Sequence, residues 1–406
     1  MTVAASWGDM DMTGPLAGIR IVELGQLIAV PLASGILARQ GADVIKVEDV
    51  GVGDNLRFYG SQKQGLSAWF VTVNANKRSV ALDLQKPEGK EALWRLLADA
   101  DVFMEGFRPG VMDRLGFGVD RVRERYPRIV YYSSTGFGPS GPYAHYPAYD
   151  PVIQSLSGWA GAQVHGDEPT LVRGMVADKL SAFTGAQAIT AALVQRGRTG
   201  RGEHVALSML EANIAFNWSD VMMHCSLLDE DAEHRPNIIG AYRLYRCADA
   251  WVSVSTGTDR QWASFCRVVG RPELAENERF RTAAARAAHF TEWFDLMGEL
   301  IAPHPADKII PQLQAEDVPA SVVLDPTEVA RDPHVRAVGA VHEIQHPVAG
   351  RVLQPRPGAS FEGGLPEPRP APRHGEDTID VLCECGYGRS EVDQLLASGA
   401  AKALHQ

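Results

Sequence analysis

The sequence predicts an α/β protein: a large domain built on a parallel, doubly wound sheet, with a smaller α+β domain beside it. Three observations carry this expectation. Strand-like apolar segments alternate with helical ones through the first half of the chain. The pattern loses that alternation after about residue 210. The 406 residues, 45% hydrophobic and 22% charged, suffice for two to three domains with a sizeable core.

In order along the chain, Gly18-Ile-Arg-Ile-Val-Glu-Leu24 reads as a strand, and Pro31 to Gln40 as a helix with Gly41 just past its end. Asp43-Val-Ile-Lys-Val47 is the next strand. Pro87 opens a helix whose apolar positions Ala92, Leu93, Leu96 and Leu97 follow helical spacing. Val102-Phe-Met104 and Ile129-Val-Tyr-Tyr132 supply further strands. An Ala- and Gly-rich helix, Lys179 to Gln195, should pack closely on its neighbours, and His204-Val-Ala-Leu-Ser208 closes the region. Beyond it come a helical stretch from Leu210 to Leu228 and a loop around Asp229 to Asn237. A hairpin from Tyr242 to Ser255 precedes a helix capped by Asp259, then further helices to about Ala315 and a strand at Val318 to Leu324. A second hairpin near 341–353 precedes the Pro-rich stretch Pro366 to Pro372, and two short helices end the chain.

Acidic residues outnumber basic ones, 50 to 39, for a net charge of −11. Nucleic acid and anionic membranes are therefore poor partners, because phosphate surfaces require a net basic face. Five scattered cysteines make no disulfide framework and no zinc site, and the early residues lack the basic start and apolar core of a leader. The expectation is a cytoplasmic protein without a metal.

The turn Leu24-Gly-Gln-Leu-Ile-Ala-Val-Pro31 has one glycine where a dinucleotide site needs three. Basic residues at four places, Arg57, Lys77-Arg78, Arg108 and Arg114, fall between elements and suit either a phosphate-bearing ligand or surface ion pairs. Asp178, just before the Ala-rich helix, reads either as its N-cap or as a carboxylate nucleophile at a helix start. Asp150, before Pro151, reads as a turn residue or as an active-site carboxylate.

Taken together, the motifs resemble those of the class III coenzyme A-transferases (CaiB/BaiF), the superfamily of formyl-CoA transferase and α-methylacyl-CoA racemase. The carriers are Gly18 to Leu24, Gly41-Ala-Asp-Val-Ile-Lys-Val-Glu48, Asn76-Lys-Arg-Ser79, Phe107-Arg-Pro-Gly110 with Asp113-Arg-Leu-Gly116, Tyr149-Asp150 with Gln154 and Ser157-Gly158, Ala177-Asp178, and Gly197-Arg-Thr-Gly-Arg-Gly202. Their order and spacing cover nearly the whole chain.

The resemblance implies a Rossmann-like large domain, 1–210 with 375–406, and a small α+β domain at 238–340, with linkers at 211–237 and 341–374. It further implies a homodimer whose chains interlock like linked rings, with no permanently bound cofactor and coenzyme A as substrate. By the same resemblance Asp178 is the catalytic carboxylate, forming an aspartyl-acyl anhydride and then an aspartyl-CoA thioester. CoA contacts are implied at Ile28, Ala29, Asn74, Ala75, Asn76, Lys77, Gly106, Phe107, Arg108, Arg114 and Tyr149, with Lys77 and Arg114 on phosphates. Asp49 stands where formyl-CoA transferase has an arginine that helps bind CoA, so that interaction is either missing here or supplied by Arg57. Ile28 replaces a glutamine and Gly106 an asparagine. The racemase branch carries a histidine where this chain has Tyr149, so CoA transfer ranks above 2-methylacyl-CoA epimerisation, and both rank above an inactive CoA-binding protein. Thr256-Gly-Thr-Asp-Arg-Gln261 occupies the place of the family's glycine loop.

Overall fold

A computed structural model describes residues 13–165, 168–233 and 238–404; the opening residues and part of the 229–237 loop lie outside these. The chain divides into two compact units, Met1–Glu230 with Gly339–Gln406, and Asp231–Val338. The stretch 341–374, expected as a linker, therefore belongs to the larger unit.

The strands of the larger unit's main, seven-stranded sheet have apolar residues on both sides, as a sheet covered on both faces requires. They are β1 (Arg20–Leu24), β2 (Asp43–Glu48), β3 (Lys77–Leu82), β4 (Val102–Glu105), β5 (Val130–Thr135), β6 (His204–Ser208) and β7 (Ala401–Lys402). Their spatial order is β6-β5-β4-β1-β2-β3-β7, parallel except for β7, which runs antiparallel to β3. Successive side chains feed opposite cores. Val22, Ile45, Phe103 and Tyr131 face one side, while Ile21, Val44, Met104, Val130 and Tyr132 face the other.

The second of these faces is covered by α1 (Ala29–Ala38) and α4 (Val176–Thr199), which share the core residues Ala33, Leu37, Ala182, Ala186 and Ile189. The expected close packing of the Ala- and Gly-rich helix is observed. A Cβ at Gly185 would stand 2.4 Å from the Tyr132 hydroxyl, so only glycine lets α4 come this near to β5. Helix α1 begins two residues before Pro31, which sits harmlessly in the first turn where amides have no intrahelical partner. On the opposite face, α2 (Pro87–Ala98) and the C-terminal helices Thr378–Glu384 and Arg389–Ala397 pack against the core, and β7 then closes the β3 edge. That last strand is too short to leave a sequence signal.

The smaller unit has a three-stranded antiparallel sheet, Tyr245–Arg246, Trp251–Val254 and Ala320–Val322. Trp262, Phe265, Met297, Ile301 and Leu313 from its helices fill the core. Thr258, not Asp259, caps the helix Asp259–Val268, in a reciprocal box with Gln261. Asp259 instead accepts from the buried Arg286 (3.0 Å), whose guanidinium also donates to the Gly257 carbonyl (3.2 Å). No helix among the described residues is long and apolar enough to cross a membrane.

Candidate active site

Strand order reverses at β1: the chain leaves it toward β2 and β3, then crosses back to β4 on its other side. Loops at the carboxyl ends of such strands diverge and leave a crevice. A cavity of about 280 Å³ lies there. Leu24 and Gln26 to Val30 line it after β1, Gly106 to Pro109 after β4, and Ser134 to Gly136 at the end of β5. Ala144, Tyr146 to Tyr149, Asp178 and Met209 complete it. A second cavity, of about 190 Å³, continues along the same edge past β2 and β3 and shares Leu24, Gln26 and Phe107 with the first. Val47 to Asp49 and Leu82 to Gln85 line this second part.

Before α4 comes α3 (Asp150–Leu156), a short helix whose first residue serves the start of the longer one. Asp178 is the third residue of α4, and Met175 occupies the cap position without a side-chain bond. The N-cap reading of Asp178 is thereby excluded. The carboxylate at that helix start is Asp150, whose Oδ2 accepts the Asp178 amide at 3.0 Å. Gln154 holds Asp150 in place, donating to Oδ1 at 2.6 Å, while its own Oε1 accepts the Val172 amide at 2.9 Å. The residue before Pro151 is thus a buried carboxylate that serves the start of α4.

The Asp178 carboxyl itself has no hydrogen-bond partner among the described residues. Burial, with the Asp150 charge adding to it, pushes its pKa up to about 7. Burial, with the neighbouring Asp150 charge, thus outweighs the favourable pull of the helix start on this carboxylate.

Of the positions expected to contact CoA, the structure brings Ile28, Ala29, Gly106, Phe107, Arg108 and Tyr149 into the Asp178 cavity. Gly106 abuts Val30: a Cβ there would stand 2.9 Å from Val30 Cγ2, so asparagine would require that valine to shift. Arg108 is exposed and unpaired among the described residues, the one Lys, Arg or His among the residues lining this cavity. Arg114 is exposed on the short helix Val111–Leu115 and outside the lining of either cavity.

Asn74, Ala75, Asn76 and Lys77 are not at the crevice. They precede or open β3 and so lie toward the amino edge of the sheet, whereas Leu82 to Gln85, at its carboxyl end, line the second cavity. The Lys77 ammonium is fully buried and donates to Glu23 (2.7 Å), the Pro31 carbonyl (2.7 Å) and Asn74 Oδ1 (2.8 Å). Ala75 is fully buried. Asn76 instead ties down the Pro-rich stretch, donating to the Glu367 carbonyl (3.0 Å) and accepting the Arg369 amide (3.2 Å). Arg57 is engaged by Glu48 (2.7 Å) and does not replace a cation at Asp49. Arg78 is likewise paired, with Asp43 (2.7 Å) and Glu384 (2.8 Å). The rule that ligands sit beyond strand carboxyl ends could have identified Leu82 to Gln85 from the sequence.

Residues 16–378 match the family model for CoA-transferase family III. This chain belongs to that family. Its relatives include human succinyl-CoA:glutarate CoA-transferase, 29% identical over 400 residues that span 96% of this chain and 91% of the relative. The formyl-CoA:oxalate CoA-transferase of Shigella sonnei is 30% identical over 94% of this chain and 98% of its own. Among solved structures, a CaiB/BaiF family protein from Brucella suis superposes with a TM-score of 0.80 at 30% identity, covering 92% of this chain and 100% of its own. A hypothetical protein from Mycobacterium tuberculosis gives 0.79 at 28% identity, covering 91% and 99%. As a member of family III the chain is a CoA-transferase, an enzyme of acyl-CoA chemistry.

Proposed function

We propose that this enzyme moves coenzyme A from an acyl-CoA thioester to a free carboxylic acid, with Asp178 as the nucleophile. The observation that carries the reading is the Asp178 carboxyl: it is unpartnered among the described residues, held near neutral pKa, and set in the cavity at the reversal of strand order. A carboxylate of raised pKa is a better nucleophile than an ordinary one, and near pH 7 an appreciable fraction is ionised.

The reaction runs through two anhydrides. An Asp178 oxygen attacks the thioester carbonyl, the C–S bond breaks, and CoA leaves as thiolate from an aspartyl-acyl anhydride. The thiolate attacks the aspartyl carbonyl and expels the first carboxylate, leaving an aspartyl-CoA thioester. The acceptor carboxylate attacks that thioester, releasing the thiolate again and forming a second anhydride. Attack of the thiolate on the acceptor's carbonyl then yields the new acyl-CoA and restores Asp178. Charge and atoms balance through these four steps with no further reactant. Leu27, Ile28, Val30, Phe107 and Met209 line the cavity with apolar surface, which keeps water from the anhydrides. The CoA nucleotide would continue into the second cavity, with Arg108 and Arg114 as cations for its phosphates.

Both curated relatives are named for transfer between an acyl-CoA and an acid, which supports this reading over epimerisation. Epimerisation also needs a second proton carrier, and no histidine is among the residues lining the Asp178 cavity. The test is mass spectrometry after incubation with acyl-CoA and hydroxylamine. The expected result is an adduct on Asp178, absent in Asp178→Ala, with turnover of that variant lowered by roughly 10³-fold or more. Full turnover in Asp178→Ala would refute the mechanism.

A further inference from the structure

Glu105, the last residue of β4, is a buried carboxyl that the mechanism above does not use. It is 6% exposed and makes no ion pair among the described residues. Burial pushes its pKa up to about 7; the Phe107 amide opposes that rise and the Asp113 charge adds to it. Retaining a carboxyl this buried without a counter-charge is unfavourable unless its oxygens do something a hydrocarbon cannot.

One oxygen has a definite task. Glu105 Oε2 accepts the Phe107 amide at 2.8 Å, two residues along, and so folds the chain sharply as it leaves the strand. The turn held in this way is Gly106-Phe107-Arg108. Phe107 lines the Asp178 cavity, the second cavity toward β2 and β3, and a third of about 170 Å³ behind it. Arg108 lines the first and the third. The third cavity is bounded by Glu105 itself with Tyr131, Ser133, Thr135 and His204. Ser133 and His204 are occupied with each other at 2.9 Å, and neither bonds Glu105. Gly106 brings no side chain to brace the turn, so the Glu105 carboxylate is the side-chain acceptor that sets where the aromatic ring and the guanidinium stand.

We propose that Glu105 is a positioning residue for acyl-CoA: through the Phe107 amide it fixes the turn that presents Phe107 and Arg108 to the crevice. The proposal rests on acyl-CoA occupying that crevice. It places the effect of Glu105 on binding rather than on the chemical step, because the turn borders the ligand path while Asp178 is held separately by α4 and Asp150.

The test compares Glu105→Gln, Glu105→Ala and Glu105→Leu. Glutamine keeps a carbonyl acceptor of the same reach, whereas alanine and leucine remove it, and leucine also fills the volume should the alanine variant fail to fold. CoA affinity is measured by calorimetry, and KM and kcat for an acyl-CoA donor by steady-state kinetics. Alanine or leucine is expected to weaken CoA binding and raise KM by about 10-fold or more, with kcat within about 3-fold of wild type. Glutamine is expected to restore both to within about 3-fold. A merely structural carboxyl would lower thermal stability without splitting KM from kcat. Unchanged CoA affinity in the leucine variant, a fall in kcat at constant KM, or a glutamine variant as impaired as alanine would each overturn the proposal. Failure of the wild-type protein to bind CoA would overturn the underlying reading and this inference with it.

Discussion

Two sets of buried carboxylates in one sheet and its flanking elements behave in opposite ways. Glu23 and Glu48, on β1 and β2, are surrounded by cations. Lys46 donates to Glu23 at 2.9 Å and pairs with Asp54 at 2.9 Å, Lys77 bonds the other Glu23 oxygen, and Arg57 grips Glu48. Burial alone would raise both carboxyls, but these cations hold each down to about 2. Glu105 is buried and Asp178 half-buried, both without a paired cation among the described residues, and each is pushed up to about 7. Desolvation acts on all four, so the counter-charge decides which carboxyl is held ionised and which is pushed toward neutral pKa.

The paired set also shapes the unpaired one. Lys46 donates to the Gly25 carbonyl at 2.8 Å, and Asp54 accepts the Leu27 amide at 3.0 Å. Together they pin the turn in which Leu27 takes a φ of +61°, a left-handed conformation unusual for leucine, on the wall of the Asp178 cavity. The ionic network thus stabilises a strained backbone that faces the chemistry.

Breaking the paired set gives the largest stability effect. Lys46→Met leaves Glu23 and Asp54 without their shared cation and is expected to cost about 3–5 kcal/mol in urea unfolding at pH 7. Because Glu23 sits below its unfolded value of 4.5, its contribution is present above that pH and is lost as pH falls through about 2. The variant should therefore lose its deficit in strong acid; a deficit unchanged at the lowest pH would contradict the assignment.

The unpaired set predicts the reverse sign. Asp178 is raised from 3.8 to about 7, so its stabilising contribution is complete below 3.8 and disappears as pH rises through about 7. Asp178→Asn should consequently be more stable than wild type at pH 8, by roughly 2–4 kcal/mol at about 1.4 kcal/mol per pKa unit, and no more stable at about pH 3.5. Thermal denaturation at the two pH values checks it, and a gain at low pH would count against the explanation.

The smallest effect sharpens the comparison from within. Asp150→Asn keeps an acceptor for the Asp178 amide but removes the like charge, so the acidic limb of the kcat/KM profile should move down by about one pH unit. A profile that stays in place would show burial alone to be responsible.

Much of the fold and part of the site were legible along the chain. Strands from Gly18 to Leu24 and from Asp43 to Val47 stood out because their apolar residues fall on both sides of the chain, as a sheet covered on both faces needs. Asp178 and Ile28 to Ala29, expected together from the family resemblance, line one cavity. Lys77 was misplaced for a physical reason: a lysine between elements reads the same whether it faces a phosphate or a buried glutamate 54 positions earlier. Arg57 and Arg78 misled in the same way. Leu82 to Gln85 went unnoticed because they carry no charge pattern that marks a ligand.

The sequence by itself determined the alternating α/β order, the absence of a dinucleotide glycine turn, and the carboxylate at the start of the Ala-rich helix, since these depend on local propensity and spacing. Only the tertiary structure decided the electrostatics. It assigned Asp150, not Asp178, to the helix terminus, and gave Glu23 two lysines while giving Glu105 none. A pKa depends on charges brought together from distant positions and on the water excluded between them, and neither is written in the neighbouring residues.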